Sequence, residues 1–407
     1  MKKYVCPYCF KEHLFSEIEF RCVNINPDDC PEEKDEPYRK YLGMAEGTVL
    51  MGKKTFPPTE ILPGPLKNQF MQSYENCPHC GMKSTVRLCP SCHNELPREV
   101  DDNENMVIAI VGGRDAGKTH FIAVLINELQ NRICPGLFNG AFNPMNDDMQ
   151  KHYAENFYNK VFLEKTLHGL TPSGNTAGEN RVRKPLIYEM LIPRDKRRKK
   201  SRKFTFVFYD TAGEDLKNEA VMRTVNQYIC KASGIIFLLD PMQMEKLRYS
   251  VGREGLSSTS IHEDEIEPQG MVIRRISSLI RGDRGMAGTE KIAIPTAIAF
   301  SKFDVLKNLF SEKAAIRKAS GYIRDGKLDE NERLTVSKEI EEMLVQCEED
   351  GFLGNVNMNF SRYTYCALSA LGQQPVLTSD GKTLKERPRP HRIEDPFLWI
   401  LKENGVI

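Results

Sequence analysis

No apolar run in the chain approaches the ~18 residues that a membrane-spanning helix requires. Charge of one sign is missing too: 57 Lys+Arg stand against 56 Asp+Glu in 407 residues, a net +1. That balance argues against a protein held to nucleic acid or a membrane surface by long-range charge. The opening MKKYVCPYCF carries two lysines with no apolar stretch behind them, so no secretory signal is expected. No internal repeat is visible. Membrane and secreted classes are therefore poor readings, and a cytoplasmic protein is expected. With 40% hydrophobic and 28% charged residues, the composition is that of a folded globular chain.

The twelve cysteines are distributed unevenly. Eight lie within residues 6–92, and Cys134, Cys230, Cys347 and Cys366 are scattered singly beyond. In a chain expected to stay in a reducing compartment, clustered cysteines read as metal ligands rather than disulfides. Cys77, Cys80, Cys89 and Cys92 form C-x2-C-x8-C-x2-C, a spacing that suits one tetrahedral Zn²⁺. Cys6, Cys9, Cys22 and Cys30 form a looser set for a second Zn²⁺. The alternative is an interleaved ribbon in which Cys6 and Cys9 join Cys89 and Cys92. His93 follows the last cysteine and is expected to be a bystander. With 13 basic and 14 acidic residues, 1–100 lacks a nucleic-acid footprint, so protein recognition or domain bracing is expected of this module.

Composition changes near residue 100. Short apolar runs then alternate with longer amphipathic ones, the mark of βα units around a parallel sheet. Strands are expected at 106–111, 185–192, 204–209, 234–239, 295–300 and 363–368. Helices are expected at 118–131, about 147–166, 217–231, about 269–281, 336–348 and 394–403. The predicted fold is α/β: a three-layer domain over 101–407 with a six-stranded, mostly parallel sheet, behind a small zinc-ribbon module over 1–100. The run RDKRRKKSRK (194–203) reads as a hairpin tip. It is a solvated loop first, and a contact for RNA or another anion second.

The first strand runs into Gly112, Gly113, Arg114, Asp115, Ala116, Gly117, Lys118, Thr119 and His120, then a helix. This is G-x-x-x-x-G-K-[ST] in its required strand–loop–helix setting. Gly112 and Gly117 let backbone N–H groups face phosphate oxygens. Lys118 reaches the β- and γ-phosphates, and the Thr119 hydroxyl suits Mg²⁺. The strand at 204–209 ends in Asp210-Thr211-Ala212-Gly213-Glu214, where Asp210 suits a water-mediated Mg²⁺ contact and the Gly213 N–H a γ-phosphate. The strand at 295–300 ends in Ser301-Lys302-Phe303-Asp304. A carboxylate there matches the two donors on one edge of guanine, with the Lys302 stem over the purine. Ser369-Ala370-Leu371 follows the last strand, where backbone N–H groups suit the guanine O6.

These four elements, in this order and each after a strand, resemble the translation-factor-related (TRAFAC) class of P-loop GTPases, which includes Ras-like and dynamin-like G domains. With the cysteine-rich start and the EDPFLWIL near the C-terminus, the chain also resembles bacterial zinc-ribbon GTPases of the double-GTPase type. That resemblance implies a GTP/GDP switch, Mg²⁺, and a multi-gene conflict or defence system. Three departures stand out. Ser301 replaces the usual Asn or Thr. Glu214 stands where Ras-like proteins carry the glutamine that orients the attacking water, which implies slow hydrolysis. An insertion at about 132–184 leaves the switch threonine open between Thr171 and Thr176, with Thr176 favoured. Asp115 stands where some cation-activated relatives bind K⁺ through Asn. The catalytic set is therefore expected to be Lys118, Asp115, Thr176 and Glu214. The output is a regulatory switch acting on a protein partner through the zinc module or the switches, with oligomeric state open. An assembling mechanochemical GTPase and a non-hydrolysing GTP-bound scaffold are the alternatives.

Overall fold

A computed structural model describes residues 2–59, 70–98, 100–101, 104–113, 115–165, 185–193, 201–208, 227–251, 268–321, 329–378 and 381–407. Its centre is a seven-stranded sheet. The strands are β1 (Glu104–Val111), β2 (Ala141–Pro144), β3 (Leu186–Ile192), β4 (Arg202–Phe208), β5 (Gly234–Leu239), β6 (Thr296–Phe300) and β7 (Tyr363–Ala367). Their spatial order is β2-β3-β4-β1-β5-β6-β7. Only β3 opposes the rest, because β2–β3 and β3–β4 are antiparallel pairs and the other four are parallel. β5 and β6 are buried at every residue, as a central strand covered on both faces must be.

The six expected strands all form, each within two residues of its expected limits. The seventh, β2, lies in the insertion. Its sequence, AFNP, is short and carries a proline, which an edge strand tolerates and a central one does not. Phe142 anchors it by stacking on Tyr188 of β3, with centroids 4.9 Å apart. After it, a continuous helical stretch over 147–163 lies along α1 (Lys118–Glu128), and the Tyr153 hydroxyl donates to the Ala123 carbonyl at 2.7 Å.

The described helices beyond α1 that matter here are α2 (Gln269–Arg284), α3 (Glu330–Gln346), α4 (Asp350–Asn359) and α5 (Asp395–Glu403). α4 was not expected from sequence. Its glycines and asparagines hide its period, and Phe352, Val356 and Asn359 are the residues it buries. α5 is apolar over Phe397–Leu401, all buried. It lies so close to the sheet that a Cβ on Gly234 would meet Ile400 at 2.3 Å. Of the expected helix at 217–231, residues 227–231 are described, and Gln227–Cys230 is helical. The basic run falls where β3 turns into β4. Its residues 194–200 lie outside the described residues, while Arg202 donates to the Gly405 carbonyl at 2.8 Å and pairs with Glu104.

A second, smaller apolar cluster forms around the cysteines. Its three-stranded sheet places Glu19–Arg21 between Thr55–Phe56 and Val86–Leu88. Phe10, from the first cysteine knuckle, belongs instead to the large core, with its ring 5.6 Å from that of Tyr228. Among the described residues no helix is long and apolar enough to cross a membrane.

Candidate nucleotide site and paired thiolate clusters

The parallel strands end together. Val111 is in register with Phe237, Leu239 with Phe300, and Phe300 with Ala367. The loops that leave β1, β5, β6 and β7 therefore share one edge, the place where open α/β sheets bind ligands. At β1, a Cβ on Gly112 would stand 2.2 Å from the Leu238 carbonyl oxygen, so only glycine fits. Asp115 (φ 58°) and Gly117 (φ 82°) are left-handed, the backbone conformation from which anion-binding loops are built. Asp115 is exposed and Ala116 buried. The Lys118 amine is buried and donates to the carbonyls of Gly112 (2.8 Å) and Gly113 (2.9 Å). A single cation thus folds the loop around itself. Thr119 and His120 are half-buried in the first turn of α1.

Asp304 and Ser369, the residues expected to face the base, lie side by side at this edge. Lys302 is left-handed (φ 55°), which turns the chain sharply out of β6 and into the short helix Phe303–Leu306. The Ser369 hydroxyl donates to Asp304 Oδ1 at 2.7 Å and accepts the Gly372 N–H at 2.9 Å. That chain of donors fixes the Asp304 rotamer, and a carboxylate oxygen retains further lone pairs for a ligand. Ala370 and Leu371 are half-buried beside it. The Ser301 hydroxyl donates to the Leu239 carbonyl at 3.0 Å, so this residue ties β6 to β5.

One participant escaped the sequence reading. Asp240, at the end of β5, is 2% exposed and accepts from the Lys302 amine at 2.5 Å, while its other oxygen accepts the Met242 N–H. The sequence carried only half of its signal, an acid at the end of a wholly apolar strand; the cation that pairs with it lies 62 residues later. Arg114, Thr171, Thr176, Asp210, Gly213 and Glu214 lie outside the described residues.

The cysteines form two clusters, but not the consecutive sets expected. Cys6, Cys9, Cys89 and Cys92 converge, as do Cys22, Cys30, Cys77 and Cys80, each set with Sγ atoms within 4.8 Å of one another. The two C-x2-C pairs at 77–92 each stay whole but go to different clusters. The interleaving proposed for Cys6 and Cys9 is the arrangement present, and it comes with two sites rather than one. The reason is strand direction. Glu19–Arg21 pairs antiparallel with Val86–Leu88, with Glu19 opposite Leu88 and Arg21 opposite Val86. Cys22 and Cys89 therefore leave opposite ends of the ribbon.

Three knuckles share one backbone design. The N–H groups of Phe10, Gly81 and His93 return to the carbonyls of Cys6, Cys77 and Cys89 at 2.8–2.9 Å, each residue left-handed. His93 thus completes a knuckle. Its buried ring bridges Asp35 (2.7 Å) and Glu19 (2.9 Å), and these carboxylates, against the opposing effect of burial, hold its pKa above the usual value. Sγ separations of 3.7 Å (Cys6–Cys92, Cys9–Cys89), 3.6 Å (Cys22–Cys80) and 3.9 Å (Cys30–Cys77) bracket the ~3.8 Å edge of a Zn–S tetrahedron with ~2.3 Å bonds. The donor sets fit Zn²⁺.

The chain is 25% identical over 343 residues to SaeC of Mycolicibacterium smegmatis, provisionally described as an ESX-1 scaffolding and assembly protein; the match covers 79% of this chain and 81% of that one. Among solved structures it is similar to the Arl6 BBS3 small GTPase from Trypanosoma brucei, at 11% identity and a TM-score of 0.29, covering 74% of this chain and 98% of that one. It is also similar to the bacterial selenocysteine-specific elongation factor EF-Sec, at 16% identity and a TM-score of 0.29. That match covers 75% of this chain and spans 29% of the factor's length. The family model described as Double-GTPase 2 matches residues 106–348, from β1 through α3. The chain, with its phosphate loop and its Asp304–Ser369 pair, belongs to the Double-GTPase 2 family and is a GTP-binding P-loop protein.

Proposed function

We propose that this chain is a Mg²⁺-dependent GTP switch with slow hydrolysis, and that its thiolate clusters hold two Zn²⁺ and brace a partner-binding module. The observation that carries the reading is the Asp304–Ser369 hydrogen bond at the sheet edge that also bears the phosphate loop. In this reading residues 1–100 are the zinc module and 101–407 the G domain. The N–H groups of Gly112–Thr119 and the Lys118 amine hold the phosphates. Lys118 exchanges its two carbonyl acceptors for phosphate oxygens, so the loop gives up its own lysine as nucleotide binds. Thr119 and Asp210 hold Mg²⁺, which when bound neutralises charge on the β- and γ-phosphates. Asp304 reads the guanine edge, Lys302 lies along the base with its amine held by Asp240, and the N–H groups of Ala370 and Leu371 face O6.

For hydrolysis, the reading assigns the switch threonine to Thr176, the γ-phosphate contact to Gly213 and the water-facing position to Glu214. A carboxylate there is repelled by the γ-phosphate, which is why turnover is slow. Asp115, exposed at the loop tip, offers an oxygen to K⁺ beside the phosphates. Multiple-turnover phosphate release tests this part. The rate should be higher in K⁺ than in Na⁺ and lose that difference in Asp115→Ala, and Lys118→Ala should bind no GTP. Equal rates in the two salts would remove the K⁺ role; zero turnover with tight binding would leave a GTP-held scaffold.

A protein partner is supported by two things. The name of SaeC assigns it scaffolding and assembly. In this chain, Ile25 (90% exposed) and the exposed Val23 follow Cys22 closely along the chain, and the exposed Met82 follows Cys80. Apolar side chains so displayed on a braced ribbon suit protein contact. On the family resemblance, the output lies in a multi-gene conflict or assembly system.

A further inference from the structure

Residues 389–395 lie beyond the stretch matched by the family model. They are tied to both base-reading loops. His391 and Ser369 exchange backbone hydrogen bonds (2.8 and 3.0 Å), and the Arg389 N–H donates to the Leu371 carbonyl. The His391 imidazole stacks on Phe303, which immediately precedes Asp304, with centroids 4.7 Å apart and planes 12° from parallel. Its Nε2 lies 2.8 Å from the Ile316 carbonyl, so that nitrogen carries the proton and donates. Burial lowers the pKa of this imidazole, consistent with a neutral ring on an aromatic face.

The next residue fixes the clamp from behind. Arg392 has a fully buried side chain and a left-handed backbone (φ 49°). Its guanidinium donates to Asp395 (2.7 Å), Glu332 (2.9 Å) and the Lys318 carbonyl (3.0 Å). Glu332 also accepts the Gly321 N–H. The N-terminus of α5, the start of α3 and the loop after Phe310 are joined at one point. Such a hub cannot shift without breaking several charged hydrogen bonds, so His391 presents a stationary face to Phe303 and Ser369.

We propose that His391 is a positioning residue for guanine recognition: it holds Phe303 and Ser369 so that Asp304 is set for the base before nucleotide arrives. The proposal rests on the assignment of Asp304 as the base reader. Preorganisation of this kind raises affinity for the group being read and leaves the phosphate contacts alone.

The test is titration of the full-length protein with GTP, ATP and inorganic tripolyphosphate, all with Mg²⁺. His391→Ala should weaken GTP roughly tenfold, the scale of one lost aromatic pair with one lost hydrogen bond, and leave ATP and tripolyphosphate within about twofold of wild type. His391→Leu keeps the volume but removes ring and donor; it should behave alike and carries the test if the alanine variant does not fold. Unchanged GTP affinity overturns the proposal. So does a parallel loss of GTP and tripolyphosphate, which marks a purely structural role. Equal wild-type affinity for GTP and ATP overturns the Asp304 reading itself, and the clamp with it.

Discussion

Removing two cysteines at a time separates the interleaved clusters from consecutive ones. Cys6→Ser with Cys89→Ser removes two ligands from one cluster, whereas Cys6→Ser with Cys22→Ser removes one ligand from each. The first double variant should keep one zinc and the second none. Consecutive sets would give the reverse, with zinc lost from both sites in the first variant and from one in the second. The cost is large because each cluster staples distant parts of the chain. Cys6 and Cys92 are 86 residues apart, and Cys22 and Cys80 are 58 apart. Closing loops of that length removes about 4–5 kcal/mol of unfolded-state freedom. A structural zinc contributes about 10–16 kcal/mol in small metal-dependent folds. Elemental analysis of purified protein, with native mass spectrometry for stoichiometry, reads the result directly. Zinc retained in the Cys6/Cys22 variant and lost in the Cys6/Cys89 variant would refute the interleaved arrangement.

Ser369→Ala removes the donor that orients Asp304 and the acceptor of the Gly372 N–H. A hydrogen bond to a charged group is worth about 1.5–3 kcal/mol, so GTP affinity should fall by roughly 10- to 150-fold in a titration while tripolyphosphate binding holds. For pH, burial pushes the Asp395 carboxyl up to about 6 despite its bond to Arg392. Between about pH 4 and 6 the folded protein then keeps a proton that the unfolded chain has released. This residue's contribution to stability is therefore fullest near pH 4 and is lost as pH rises through 6. Asp395→Asn should flatten that part of the melting-temperature profile; an unaltered profile would contradict the assignment.

Most of the sheet was legible because its strands are unbroken apolar runs such as GIIFLL, and a wholly buried parallel strand has no other way to look. The phosphate loop was legible for a different reason. Gly112 and Gly117 are demanded by close approach and by positive φ, so the backbone writes itself into the sequence. What escaped depended on partners far apart in the chain. Asp240 acquires meaning only when Lys302, 62 residues later, is placed beside it. The pairing of Cys22 with Cys80 depends on the antiparallel sense of a three-residue ribbon, which spacing does not encode. β2 and α4 were hidden by proline, asparagine and glycine, whose cost is absorbed at an edge or by tertiary packing.

The central claim is that Asp304 selects guanine, and one competition experiment tests it most directly. Wild-type protein is titrated with GTP, ATP and XTP, and so is Asp304→Asn. Guanine offers two donors to the carboxylate and adenine offers an acceptor at N1, so two charge-assisted hydrogen bonds of about 1.5–3 kcal/mol each favour GTP over ATP by roughly a hundredfold or more. Asparagine turns one acceptor into a donor, and xanthine carries a carbonyl where guanine has its amino group. The account predicts that the variant loses GTP and gains XTP. Equal competition by ATP and GTP for the wild-type protein, or a variant that still prefers GTP, would contradict it.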